Sequence, residues 1–228
     1  MMSEIIIYSF DKCPFAQRTR MVLIEKDLPF ELVEIDVYNK PNWFSSVSPY
    51  GKVPVLSHEG NTLYESAIIN EYLDEVFPEI QLMPDNHFQR AKARIWIDYC
   101  SNRYLPACSQ LMRDRNNPEK QEKNLENLGE IFLFMERECF EKNNGGVFWM
   151  GENITLVDLH FAPFFERFGA YENLFGAQWP EECKNIKSWW SAMQERKSYQ
   201  NTFLPLASHI ETYTGMMQRL LKRYLYKY

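Results

Sequence analysis

The apolar pattern of the first 76 residues changes period repeatedly. Residues 4–9 (Glu-Ile-Ile-Ile-Tyr-Ser) form a short run rich in β-branched side chains, which predicts a buried strand. After a turn at Phe10-Asp11-Lys12-Cys13-Pro14 the period lengthens to that of a helix through Lys26. Phe15, Thr19, Val22 and Leu23 share one face at offsets of four, seven and eight. Residues 30–36 alternate and predict a second strand, parallel to the first because a helix separates them. Residues 37–52, with Pro41, Pro49 and Gly51, read as irregular. Val53-Pro54-Val55-Leu56 and Asn61-Thr62-Leu63-Tyr64 flank a Glu59-Gly60 turn and predict an antiparallel hairpin. A helix over 65–76 buries Ala67, Ile68, Tyr72 and Leu73.

Beyond Pro78 and Pro84 strand patterns vanish. Segments near 88–112, 118–142, 155–170, 184–197 and 209–226 all suit helices. The expected organisation is an α/β domain over residues 1–79, a linker over 80–87 and an all-helical domain over 88–228.

Composition narrows the function more than the fold. The net charge of -6 argues against nucleic acid as a partner. No run of eighteen apolar residues predicts a membrane span, and the N-terminus enters a strand pattern without a basic leader. The five cysteines are odd in number and widely spaced, which fits a reducing, cytoplasmic setting better than a disulfide framework. No metal is expected. The end of the chain, from Gln218 to Tyr228, is basic and amphipathic. It is expected to pack on the protein with its charges in solvent.

Of the five, Cys13 alone sits in a reactive context. A cysteine just before the first helical turn faces unpaired backbone N–H groups, and Lys12 and Arg18 add positive charge, so a depressed thiol pKa is expected. Position 16 is Ala, not Cys, which leaves no internal resolving thiol. Val53-Pro54 at a strand start suits a cis bond and a backbone free to pair with an extended peptide. Glu65 and Ser66 at a helix start suit the amino and carboxylate groups at one end of such a ligand.

Together, Cys13-Pro14-Phe15-Ala16-Gln17-Arg18, Asn39-Lys40-Pro41, Ser48-Pro49-Tyr50-Gly51-Lys52-Val53-Pro54 and Tyr64-Glu65-Ser66-Ala67-Ile68 resemble the cytosolic glutathione transferase superfamily, with the cysteine-type omega branch nearest and the lambda and dehydroascorbate reductase branches beside it. Gly151-x-x-x-Thr155-x-x-Asp158 resembles that family's internal capping motif. The resemblance implies a thioredoxin-like N-terminal domain, an all-α C-terminal domain and a homodimer. It implies Cys13 as the nucleophile that forms a mixed disulfide with glutathione. Phe15, Lys40, Val53, Pro54, Glu65 and Ser66 would bind glutathione. Thiol transfer, dehydroascorbate reduction, reductive S-group removal and weak conjugation fit that chemistry. Arg94, Trp96, Tyr99, Cys100 and Tyr104, at helical spacing, are candidates for the second substrate; the phenylalanines of 160–169 are assigned to the core. Two other readings share the fold: a non-enzymatic protein that binds a protein partner, and a channel-like relative that inserts into membranes.

Overall fold

The computed structural model describes residues 4–142 and 145–225, with side chains up to Arg219. The side chains of the basic tail beyond Arg219 therefore lie outside the described residues. Four strands and eleven α-helices follow in order: β1 Ile5–Ser9, α1 Pro14–Glu25, β2 Glu31–Glu34, α2 Phe44–Val47, β3 Val55–His58, β4 Asn61–Tyr64, α3 Ser66–Val76, α4 His87–Tyr99, α5 Leu105–Arg113, α6 Pro118–Glu138, α7 Leu156–Glu166, α8 Phe168–Phe175, α9 Lys184–Gln194, α10 Lys197–Gln200 and α11 Leu206–Leu225.

The sheet runs β2-β1-β3-β4. β1 and β2 are parallel, and the other two pairs are antiparallel. Ile7 faces Leu32 on one side and Leu56 on the other, so the central strand buries its isoleucines from both neighbours. The Val53–Pro54 bond is cis. The expected β-α-β-(loop)-β-β-α order is the observed one. The loop hides the short helix α2, whose Phe44 is buried against Val55 and Ile35.

Helix α1 departs from a one-faced amphipathic helix. Every residue from Ala16 to Leu23 is buried, including Gln17, Arg18 and Arg20, because α7 and α10 cover the side that the sheet and α3 leave open. Phe15 moves the other way: grouped with the core face by periodicity, it is 41% exposed.

The linker is tied down rather than loose. Asp74 of α3 accepts from Leu82 N (2.7 Å) and Met83 N (3.0 Å), and pairs with the buried Lys26 ammonium at 3.0 Å. Leu82 returns its carbonyl to Leu156 N at the start of α7, 2.8 Å away.

A π-helical turn, Cys100–Tyr104, joins α4 to α5 where the apolar pattern reads as one helix. Pro106 at the start of α5 cannot continue an ordinary ladder, and the wider turn absorbs it.

At the N-terminus of α7, Asp158 is the hub of the helical domain. Its carboxylate accepts from Thr155 N (2.7 Å), Thr155 Oγ1 (2.8 Å), Trp149 N (2.9 Å) and Trp189 Nε1 (2.8 Å), all in the dry interior. Trp149 stacks on Phe161 with ring centres 4.0 Å apart, and Phe161, Phe165 and Phe168 fill the core as expected. Replacing Asp158 by Ala strands these donors and is expected to cost about 3 kcal/mol. Thr155→Val, which removes one donor with its acceptor left satisfied, is expected to cost about 1 kcal/mol. Urea denaturation midpoints of the two variants check the ordering.

Candidate functional site

The turn that carries Cys13 is held from both domains. Cys13 N donates to Phe10 O (3.0 Å), and Cys13 takes the N-cap position of α1 with Pro14 next to it. The two carbonyls before the cysteine each meet a buried arginine. Arg20 donates to Asp11 O at 3.1 Å, and Arg167, at the junction of α7 and α8, donates to Lys12 O at 3.2 Å. Arg167 is fixed in turn by Gln17 Oε1 and Pro163 O, both at 2.6 Å. Gln17 Nε2 donates to Glu166 (2.7 Å), whose carboxylate also meets His209 Nε2 (2.8 Å) and Leu204 N (3.1 Å). This chain of buried contacts runs from α11 to the cysteine turn.

The elements expected to cradle a ligand come together beside it. Cys13 Sγ donates toward Val53 O at 3.9 Å, next to the cis proline. The loop before Val53 is closed by Ser48 Oγ, which accepts from Lys52 N (2.9 Å) and donates to Lys52 O (2.8 Å). Gly51 has φ +60, and a Cβ there would lie 3.4 Å from Lys40 Nζ, so the Lys40 ammonium sits over this loop. Glu65 holds φ 69 ahead of α3, and Ser66 opens that helix. A cavity of about 100 Å³ is lined by Phe15, Val53, Pro54, Glu65 and Ser66, with Ser48, Tyr50, Lys52 and Tyr64. A second, of about 630 Å³, shares Phe15, Lys52 and Val53 with it and contains Cys13 and Lys40.

The chain matches the family description "Glutathione S-transferase, N-terminal domain" over residues 7–81 and "Glutathione S-transferase, C-terminal domain" over residues 99–197. The chain belongs to the glutathione transferase family. Glutathione S-transferase omega-1 of Rattus norvegicus is 33% identical over 197 residues, covering 84% of this chain and 77% of the relative. Glutathione S-transferase U25 of Arabidopsis thaliana is 32% identical over 200 residues, covering 87% and 88%. Among solved structures, glutathione transferase Omega 3C from Trametes versicolor superposes with a TM-score of 0.80 at 27% identity, over 89% of this chain and 90% of that one. Rice GST1, in complex with glutathione, gives 0.86 at 27% identity, over 96% and 98%. This transferase is omega-like, and its activity is glutathione-dependent transfer.

The second-substrate candidates of the transferase lie elsewhere than expected. Arg94 is paired with Glu71 through three hydrogen bonds of 2.8 to 3.2 Å, on the outside of α3 and α4. Trp96 and Tyr99 pack on Phe134 of α6, and Tyr104 is fully buried against Phe132, Phe161 and Phe165. Cys100 is buried with its thiol toward His160 O. The cavity beside Cys13 is instead walled by Leu105, Ser109 and Met112 of α5, Phe164 and Tyr171 of α7 and α8, and Thr212, Tyr213, Met216 and Arg219 of α11. The spacing 105, 109, 112 and 212, 216, 219 is that of two helix faces, a signal present in the sequence and overlooked. The α4 faces that carry these candidates are taken by Glu71 and by α6, and the π turn, whose extra residue rotates the downstream helix by about 100°, brings a different face of α5 to the cavity.

The depressed thiol pKa is also overturned. Burial pushes the Cys13 thiol above its ordinary value, outweighing the Ala16 and Phe15 backbone N–H groups and the charges of Arg167 and Arg18, which pull it down. Lys12 spends its charge on Glu211, 3.5 Å away. Arg18 is turned inward: its guanidinium lies 4.9 Å from the centres of both the Phe15 and Phe164 rings and meets the buried, neutral ring of His160. Burial thus favours the thiol form over the thiolate at Cys13. Its alkylation rate against pH is expected to turn over above the free-cysteine value of about 8.5. Arg167→Gln, which removes a charge that lowers the thiol pKa, is expected to move that midpoint further up. A midpoint below the free thiol would contradict the burial effect.

Proposed function

We propose that this omega-like transferase works as a monothiol reductase and thiol transferase, with Cys13 as its nucleophile and glutathione as co-substrate. One observation carries the reading. Cys13 Sγ stands at the cis-proline loop, where a narrow cleft lined by Pro54, Glu65 and Ser66 meets a larger cavity, and Ala16 occupies the place of a resolving cysteine. Glutathione would lie along the smaller cavity. Its cysteinyl backbone would pair with Val53, its γ-glutamyl end would meet Glu65 and Ser66, and Lys40 would meet its glycyl carboxylate.

The chemistry balances with glutathione alone. The Cys13 thiolate attacks the glutathionyl sulfur of a mixed disulfide; one S–S bond breaks, another forms, and the partner leaves as a thiolate that takes a proton. A second glutathione, as thiolate, then attacks the glutathionyl sulfur bound to Cys13, forming the glutathione disulfide bond as the bond to Cys13 breaks. Oxidised glutathione departs and the Cys13 thiolate is restored. For dehydroascorbate, two glutathione thiols supply two electrons and two protons and end as the disulfide. A raised thiol pKa slows this cycle at neutral pH, because the loss of thiolate outweighs the gain in nucleophilicity and a more basic Cys13 thiolate leaves less readily, so turnover is expected to rise with pH. Reductive S-group removal belongs to the same scheme. Conjugation is expected to be weak, since the position that meets the glutathione sulfur carries the Cys13 thiol rather than an activating hydroxyl.

The five free cysteines agree with a reducing, cytoplasmic setting, and no described helix is long and apolar enough to cross a membrane. Exposed Tyr50, Tyr64 and Ile68 beside the hairpin offer a face for pairing two copies into a homodimer.

Cys13→Ala is expected to lower turnover of a glutathionyl mixed disulfide by at least about a thousandfold, and Ser66→Ala to raise the glutathione KM with kcat nearly unchanged. Steady-state assays with the mixed disulfide and glutathione check both. Full activity of Cys13→Ala would sink the assignment.

A further inference from the structure

The larger cavity has a charge pattern that the redox chemistry at Cys13 does not require. Among its described lining residues five are basic and none is Asp or Glu, in a chain of net charge -6. Two of the five have carboxylate neighbours, Lys12 with Glu211 and Arg167 with Glu166. Lys40 and Lys52 stand at the loop assigned to glutathione. Arg219 is different. It comes from α11 of the helical domain, and among the described residues it has no carboxylate partner.

Arg219 is nevertheless held in place. Its guanidinium lies 4.8 Å from the centre of the Tyr38 ring, and Nη2 donates to Tyr38 Oη at 3.2 Å. Tyr38 is itself braced edge-on by Phe10, with ring centres 5.9 Å apart. The result is an aromatic and guanidinium wall that crosses from one domain to the other. A guanidinium stacked this way keeps other N–H groups for a planar anion. Most of the remaining wall toward α5, α8 and α11 is apolar or aromatic, with Ser109, His209 and Thr212 as its polar members. Tyr171 and Tyr213 pack at 5.0 Å, and the adaptable methionines Met112 and Met216 complete the wall.

We propose that the second substrate of this site is an aromatic or other flat apolar compound bearing a carboxylate, and that Arg219 is the residue that selects the anion. The proposal rests on the reading of the larger cavity as the second-substrate site of Cys13. The flat body lies among the tyrosines and methionines, the carboxylate meets the free edge of Arg219, and the substrate sulfur, which leaves as a thiolate, lies on the far side of the glutathionyl sulfur that Cys13 attacks. The basic lining adds long-range attraction for anions against the negative background of the rest of the chain.

The test uses matched mixed disulfides of glutathione with 4-mercaptobenzoate and with its neutral amide, 4-mercaptobenzamide. The wild-type protein is expected to prefer the carboxylate by about tenfold in kcat/KM. In Arg219→Gln the ratio is expected to fall near one, and in Arg219→Glu to invert toward a 4-(aminomethyl)thiophenol disulfide. No carboxylate preference in the wild type, or a preference that survives in Arg219→Gln, overturns the proposal. So does an Arg219→Gln phenotype confined to a higher glutathione KM, which would assign Arg219 to glutathione instead. Calorimetric binding of the S-methyl ethers of the acid and the amide to Cys13→Ala reads the same preference without turnover. If neither disulfide turns over, the thiol-transfer reading falls, and the ether titration alone then decides whether the anion selectivity stands.

Discussion

Burying a helix on every side removes the choice of where its polar residues go. Helix α1 has eight consecutive buried residues, three of them Gln17, Arg18 and Arg20, and each must find a partner without water. The partners come largely from the other domain: Glu166 and Arg167 for Gln17, and His160 for Arg18. Arg20 turns instead to the Asp11 carbonyl. The polar side chains that would make α1 a poor core helix are what joins the two halves of the molecule. The cysteine turn inherits its shape from that joint, because Arg20 of α1 donates to the Asp11 carbonyl and Arg167, the partner of Gln17, donates to the Lys12 carbonyl.

The part legible in the sequence is the part built from neighbours along the chain. Cys13 ahead of Pro14, the Val53-Pro54 pair, the hairpin about Glu59-Gly60 and the Thr155-x-x-Asp158 box are local patterns with local causes, and all four take the expected backbone form. Periodicity misgroups Phe15 because its helix serves a site at one end and a core along the rest. The wall of the larger cavity is hidden for a different reason. It depends on how α11 folds back on α8, and on a π turn whose extra residue no apolar pattern marks. Arg94 has the charge to meet an anionic substrate, yet an exposed arginine on α4 meets Glu71 of the packed neighbour first.

Local reasoning also fails on the thiol. A helix start and nearby cations argue for a thiolate, and each of those influences is present in the folded protein. Burial works against them and is larger, since the domain joint that positions Cys13 also takes it away from water. Positioning and activation are thus in opposition at this residue. The fold places the thiol well, while Lys12, its neighbour along the chain, is turned to Glu211.

The Arg167 contact with the Lys12 carbonyl has a consequence for how such chains can change over generations. The sheet and hairpin of the N-terminal domain are self-contained, and that domain would tolerate exchange with the corresponding part of a relative as far as its own sheet is concerned. The joint would not. A recombinant that received a different residue at 17 while keeping Glu166 and Arg167 would hold three buried polar groups out of register, and the reactive turn would lose one of its two anchors. Residues 17, 166 and 167 should therefore be inherited as a set across the domain boundary, however far apart they lie in the gene.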